Sequence, residues 1–295
     1  MPSGNCLIQP YKQMKKSISL LIIIFCSIYA FSQQSELGVF LGGSYYTGDL
    51  NPYKHFALTK PAAGLIYRYN INSRFTFKIN AYYGTLQGND AKIKFNEKRN
   101  LSFKSSIFEI STQIELNFFD YIPGDMEHCF APYIFAGVSL FNFNPKAEYN
   151  GKWYKLKPLG TEGQGTSIPD APNPYSLTTV AFPFGIGTKY NLTKNITFGL
   201  EWGLRKTFTD YIDDVSTVYA DPSTLSSENT PISALLADRS FKDPNQTESN
   251  TGLQRGNSKT KDWYSFAGII LTFKINNKTK ICSAYNQHKV NYNKK

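Results

Sequence analysis

Histidine, methionine, tryptophan and cysteine are all scarce here: three, three, three and four among 295 residues. The three histidines, His55, His128 and His288, are far apart. The strand parity derived below sends His55 to one side of the molecule and the other two to the opposite side. A Ser-His-Asp set therefore has no ready way to assemble. Charged residues make up 18% and mean hydropathy is −0.35, so bulk hydrophobicity is low. After residue 32 no apolar run is long enough for a membrane helix. The lysines are scattered rather than striped, which argues against nucleic acid as a partner despite a net charge of +10.

Aromatic residues, by contrast, are abundant. There are 22 phenylalanines and 20 tyrosines, and aromatics reach 15% of the chain. A soluble core does not need so many rings beside so little aliphatic bulk. A transmembrane β-barrel does, because its outer face is apolar while its lumen and loops are polar.

The first 32 residues have the pattern of an export signal. Lys15 and Lys16 precede an apolar run from Ile18 to Ala30, and Ala30-Phe31-Ser32 offers a small-x-small cleavage site. Met14 is the more natural initiator for such a segment. Phe25 before Cys26 is too bulky for a lipid-attachment box. Cleavage would remove three lysines and lower the net charge from +10 to +7.

Eight segments read as strands: 36–46, 61–70, 74–87, 105–119, 131–144, 177–191, 195–208 and 263–275. Several alternate cleanly between apolar and polar faces, the fifth less so, having apolar residues on both. The connections between them run long, short, long, short, long, short, long: 47–60, 71–73, 88–104, 120–130, 145–176, 192–194 and 209–262. Outer-membrane barrels sort their loops in this way, with short periplasmic turns and long external loops. The predicted fold is all-β: an eight-stranded antiparallel transmembrane β-barrel, an up-and-down meander with long external loops and both termini periplasmic. An even strand count closes the sheet and leaves no edge facing lipid.

Inward parity places Arg68, Lys78, Glu109, Glu115, Lys189, Glu201, Arg205 and Lys274 in the lumen. In a barrel this narrow, side chains fill the interior. A paired plug is the favoured reading of these charges, over an ion or proton path. Tyr45, Tyr46, Tyr82, Tyr83, Tyr121, Tyr133, Tyr190 and Trp263 lie near strand ends and read as interfacial girdles.

At Glu201–Tyr219 a strand leaves the apolar layer and enters an acidic loop with Asp210, Asp213 and Asp214. Arg205 at its outer end is expected to pair with Asp210 or Asp213 and pin the loop over the barrel mouth. The loop lacks the ligand spacing and glycine of a calcium site. Nothing singles out a catalytic acid and base, so no enzyme, metal or cofactor is expected, and no small-molecule substrate is identified.

Four stretches carry a family resemblance. They are Gly48-Asp49-Leu50-Asn51, Pro158-Leu-Gly160-Thr161-Glu162-Gly163-Gln-Gly165, Pro183-Phe-Gly-Ile-Gly187, and Arg205-Lys-Thr-Phe-Thr209-Asp210-Tyr211-Ile-Asp213-Asp214-Val-Ser216. Together they resemble the PorG family, outer-membrane barrels of the type IX protein secretion system. The resemblance implies an outer-membrane protein of a Gram-negative bacterium that works with the periplasmic ring of PorK and PorN. A filled eight-stranded barrel cannot pass a folded cargo protein, so the role would be anchor or adaptor in protein transport rather than conduit. The alternative is a surface ligand-binder or adhesin using the long external loops.

The predicted organisation is a signal peptide over 1–32, a barrel over 33–275 within outer-membrane lipid, and a basic periplasmic tail over 276–295. Cys129 and Cys282 alone remain after signal cleavage, both on the periplasmic side. An oxidising compartment and an even count predict a disulfide between them.

Overall fold

The computed structural model describes residues 34–240 and 249–275. The predicted signal segment, the tail, Cys282 and His288 lie outside the described residues. Among the described residues nine strands form: β1 (Gln34–Thr47), β2 (Lys60–Asn70), β3 (Phe75–Asn89), β4 (Ser102–Asn117), β5 (Phe130–Tyr149), β6 (Lys152–Lys155), β7 (Thr178–Asn191), β8 (Ile196–Thr207) and β9 (Trp263–Ile275). Every pairing is antiparallel, and β1 pairs with β9 to close an eight-stranded barrel of β1–β5 and β7–β9. The ninth strand, β6, is a short hairpin arm on the part of β5 that continues beyond the barrel wall. It arose inside the segment read as a loop, because only its four residues pair.

The period-two pattern explains the wall. Along β3, Phe75, Ile79 and Tyr83 are exposed while Thr76, Lys78, Asn80 and Tyr82 are buried. The same holds for β4, where Phe108, Ile110 and Ile114 face out and Glu109, Gln113 and Glu115 face in. Leu65 is 61% exposed and Leu41, Val138 and Leu140 are each 54% exposed. Ringed around a closed sheet, these side chains make an outer belt that only lipid can cover. The protein is a transmembrane β-barrel. No helix among the described residues is long and apolar enough to cross a membrane. The ambiguous fifth strand is apolar on both faces for a reason: Ile134, Val138 and Leu140 face out, while Tyr133, Phe135, Phe141 and Phe143 fill the lumen.

The lumen is packed at every level. Near the short-turn end, Glu115 takes ion pairs from Arg68 at 3.2 Å, Lys78 at 3.1 Å and Lys189 at 2.5 Å, and Lys78 also reaches Glu201. Tyr133 donates its hydroxyl to Glu201 at 2.7 Å. Higher up, Arg205 pairs with Glu109 at 3.2 Å, and Tyr264 donates to the same carboxylate at 2.7 Å. Glu36 is a further lumen carboxylate, accepting from Asn70 and Thr272. Four buried cations thus meet four buried anions on the strands, so the plug is neutral. Above it sits a ring of apolar groups that includes Phe40, Tyr82, Ile107, Phe141, Phe143 and Phe266. Gly187 and Gly203 make room for the rings of Tyr133 and Phe135, which lie within 2.4 and 2.6 Å of where a Cβ would stand.

Two sequence expectations need correction here. Arg205 does not reach the acidic loop; its guanidinium is committed to Glu109 and to the Gly203 carbonyl. The physical reason is the inward parity itself, which points Arg205 across the barrel toward β4. Five of the girdle tyrosines, Tyr45, Tyr46, Tyr82, Tyr121 and Tyr133, are buried, whereas Tyr83 and Tyr190 are exposed. Tyr46, Tyr82 and Tyr133 share the inward face. Tyr45 points outward, but the loop after β1 folds down over it, bringing His55 and Phe56 against it beside Trp202.

The short-turn end is closed as well. The connection 118–129 crosses the barrel floor, where Tyr121 is 1% exposed, donates to the Asn191 side-chain carbonyl oxygen and shares a hydrogen bond with the Thr197 hydroxyl. Lys274 is half-buried at this end and donates to the Pro123 carbonyl at 2.8 Å, while Asn191 donates to the carbonyls of Ile122 and Asp125. Cys129 lies half-buried beside this floor.

Candidate functional site

At the other end the four long connections condense into a cap. Its apolar core, with Leu50, Leu101, Leu156, Ile212, Val215 and Leu236, is continuous with the ring of aromatics below. Around that core the motif residues converge. Six buried carboxylates, Asp90, Glu162, Asp210, Asp213, Asp214 and Asp262, meet two buried guanidiniums, Arg99 and Arg255, among the described residues.

The Gly48–Asn51 turn starts the cap. Gly48 and Asn51 exchange backbone hydrogen bonds at 3.0 Å, and the Asn51 amide donates to the carbonyls of Tyr46 and Lys54. A Cβ on Gly48 would lie 2.1 Å from an Asp262 oxygen and 2.2 Å from the Tyr46 hydroxyl, so only glycine fits. Leu50 enters the core. The half-buried Asp49 accepts from the Asn257 amide at 2.9 Å, and its carbonyl accepts from Arg99. Arg99 also forks onto Asp90 at 2.7 and 2.8 Å.

In the β5–β7 connection, Gly160 and Gly163 take positive φ and shape the turn that presents Thr161 and Glu162. Glu162 accepts from the backbone amides of Ser216 and Thr217, from the Thr217 hydroxyl and from Arg255 at 2.9 Å. Arg255 in turn donates to the carbonyls of Asp214 and Ala237. One guanidinium therefore ties together the β5–β7 connection and three parts of the β8–β9 connection.

The acidic run is spent on the same network. Thr209 accepts the Asp262 amide through its carbonyl, and Tyr211 stacks on Tyr175 at 4.6 Å. Asp210 accepts from Ser216, while Asp214 accepts from Thr161 and from Tyr175 at 2.7 Å. Asp213 and Asp262 both contact the Tyr46 hydroxyl. Burial pushes the Asp210 carboxyl up to about 7. It pushes Asp214 up to about 6, even though Arg255, Thr161 and Tyr175 pull the other way. Burial raises Asp213 and Asp262 well above the usual carboxylate range, with repulsion from Asp262 and Asp49 adding to the first and from Asp210 and Asp49 to the second. Burial raises Asp49 as well.

Such an arrangement is a lock. Its polar atoms are turned on one another, and burial raises the carboxyls of Asp210, Asp213, Asp214 and Asp262 toward the protonated form. No group of three or more metal-ligating side chains is arranged to hold an ion among the described residues. Beside the lock, a cleft of about 670 Å³ opens between the loops, bordered by Asp49, His55, Phe95, Arg99, Gln254 and Lys261.

The motif residues Asp49, Glu162, Asp210, Asp213 and Asp214 are thus brought together, while Arg205 sits apart in the lumen. Sequence reasoning read Tyr46 as a girdle residue and missed Asp90, Arg99, Arg255, Asp262 and the lumen residue Glu36. Glu36 shares the inward parity of Phe40 and was legible; Arg99 and Arg255 sit in polar loops with no pattern to mark them.

Comparison with known proteins adds three facts. The barrel is similar to Ail, the attachment invasion locus protein of Yersinia pestis, at TM-score 0.40 and 8% identity over 83% of this chain and 100% of that one. It is also similar to Neisserial surface protein A, at 0.38 and 9% over 82% and 97%, and to the outer membrane protein OprG from Pseudomonas aeruginosa, at 0.33 and 9% over 82% and 94%. The fold rests on the strand pairing, not on these scores. No curated protein matches the sequence. Residues 15–161 match the family model of DUF6089, a domain of unknown function.

Proposed function

We propose that this chain is a non-conducting barrel of the bacterial outer membrane that anchors or adapts the periplasmic ring of a type IX secretion system, with PorK- and PorN-type subunits as partners. The observation that carries this reading is the filled lumen. A neutral charge plug, an aromatic ring and a cap at one end, with the 118–129 floor at the other, leave no path for a cargo chain. A sealed barrel that is still elaborately built must act through its ends. The resemblance to the PorG family supplies the system. It also gains weight from the cap, since five of its motif acids share one network.

On the short-turn side the floor is a fixed surface, pinned by Lys274, Asn191 and Tyr121, with Met126 exposed at its tip. That is where a periplasmic ring would dock, with both termini on the same side. A photo-crosslinking residue placed at Met126 in intact cells should capture ring subunits. Capture from Ser227 on the opposite side, and not from Met126, would overturn the reading.

A second reading, surface ligand binding, is favoured by the cleft of about 670 Å³ at the cap rim. Substituting Lys261 and Phe95 would abolish binding to a surface ligand but leave ring crosslinking untouched.

A further inference from the structure

Above the lipid-facing belt, the strand register aligns charges that ought to repel. On the outer face of β3, β4 and β5, the topmost apolar row is Tyr83 opposite Phe108, which stands opposite Asn142. Two residues further on comes a polar row, Thr85, Ser106 and Asn144. Two further still, Gln87 pairs with Lys104, Lys104 with Lys146, and Lys146 with Lys155 on β6. Three lysines therefore stand directly side by side on three neighbouring strands. Like charges in that arrangement destabilise a sheet.

Among the described residues no carboxylate compensates them. None of the three lysines makes an ion pair among the described residues. Lys104 lies over the ring of Trp153, which is 46% exposed on the same face. Arg239 adds a further cation one step above, donating to the Ser102 hydroxyl. Glu148 is the acid on that face, opposite Trp153, and it does not pair with the row.

The level of the row identifies what neutralises it. Four residues separate it from the Tyr83–Phe108 row, about 14 Å along a strand, or about 10 Å along the axis at a tilt near 40°. Flexible lysine stems reach back toward the membrane from there. That depth is the headgroup layer on the long-loop side, and an exposed tryptophan belongs at the same interface. Lysine is a point-charge binder of phosphate.

We infer that Lys104, Lys146 and Lys155 form a binding site for the phosphate groups of an outer-leaflet glycolipid, with its acyl chains lying on the β3–β5 belt below. The inference rests on the outer-membrane placement proposed above, but not on the role in secretion.

The test uses the full chain, purified in detergent, with native mass spectrometry as the readout. Its probes are bisphosphorylated lipid A and the same lipid A with both phosphates removed. The phosphorylated form should be retained about tenfold better, roughly the worth of one or two charge-assisted contacts. The triple variant Lys104→Gln, Lys146→Gln, Lys155→Gln should lose that difference, while Lys92→Gln, Lys94→Gln, Lys98→Gln keeps it. Heat-modifiable migration in SDS shows that each variant still folds. Equal retention of the two lipids by the wild type, or an unchanged preference in the first triple variant, would overturn the site. Displacement of lipid A by millimolar inorganic phosphate would assign the row to a soluble anion and overturn it too. Membrane fractionation of the wild-type chain separately tests the placement; its failure there would sink the placement and leave the in vitro preference standing.

Discussion

Asp213 and Asp262, at the two ends of the longest connection, present carboxylate oxygens to one hydroxyl, that of Tyr46, at 2.6 and 2.8 Å. A hydroxyl has one proton to donate. It can serve one carboxylate, so the second contact requires the other aspartate to be protonated and to donate to the tyrosine oxygen. The remaining oxygens are taken by the amides of Val215 and Ile212. The loop is thus closed by a proton held between its ends, where burial makes two bare charges too costly.

That proton makes the cap pH-sensitive. A carboxyl whose folded pKa is raised stabilises the fold fully below its unfolded value, near 4, and the benefit is lost as pH rises through the folded value. Asp214 at about 6 and Asp210 at about 7 place the loss between pH 4 and 7, with Asp213 and Asp262 extending it upward. Around these groups stand Asp49, Glu162, Tyr175, Tyr211, Arg99, Arg255 and Lys261. Proteolysis within 209–262 should be severalfold faster at about pH 8.5 than at about pH 5.5. Asp262→Asn should remove the part of the profile above about pH 7, leaving that of Asp210 and Asp214, because an amide donates to Tyr46 and accepts from Ile212 without a titrating proton. A profile unchanged by Asp262→Asn would refute the shared proton.

Arg255 is the tie whose removal should open the cap. Arg255→Ala would leave Glu162 buried without its cation, a loss of about 3–5 kcal/mol for a broken buried pair. Limited proteolysis should cut both the 150–177 and 208–262 connections, while the barrel still migrates as a folded species in SDS. Cutting confined to one connection would mean that Arg255 does not couple them.

Arg205→Ala should do the reverse. Its partner Glu109 lies inside the barrel, so the cost of about 3–5 kcal/mol falls on the wall. The temperature at which heat-modifiable migration is lost should drop, with proteolysis of the cap unchanged. Faster cutting of the cap at an unaltered barrel melting temperature would instead favour a link between Arg205 and the acidic loop.

The wall was legible in the sequence, and the cap was not. Period-two alternation in Phe75–Tyr83 and Phe108–Phe118 dictates which face each side chain takes, and loop parity dictates the strand count. Strand parity also placed Arg205 in the lumen, but it says nothing of which charge lies across the barrel; that depends on tilt and register. The cap has no period to read. Asp213 and Asp262 meet because two strands, β8 and β9, return a long loop to one rim. Arg255 finds Glu162 through tertiary folding of segments with only turn chemistry to mark them. What the sequence did carry there was the motif acids Asp49, Glu162, Asp210, Asp213 and Asp214, which turned out to be neighbours.

The predicted Cys129–Cys282 disulfide would staple the chain's end to the floor. Cys129 is half-buried next to residues that Asn191 already fastens, so a bridge there would hold the tail against an immobile surface. Purification without reductant followed by alkylation and digestion should return the two cysteines in one linked peptide. Recovery of both as alkylated thiols would exclude the bridge.

The orientation of the barrel decides which compartment each of its ends faces. Ser227 is exposed on the cap and Ser73 lies in a short turn, donating to Asp120. The ends of the described chain, Gln34 and Ile275, lie at the short-turn side. A cysteine introduced at Ser227 should react with a bulky, membrane-impermeant thiol reagent added to whole cells, and one at Ser73 should react only after the outer membrane is breached. The closed strand count makes the two sites strictly opposed, since each antiparallel crossing exchanges sides. Labelling at Ser73 alone in whole cells would invert the molecule and move the proposed ring-docking floor, the phosphate row and the acidic cap to the wrong compartments together. Labelling at both would mean that the barrel does not seal the membrane, against the packed lumen of Glu115, Lys78 and Tyr121.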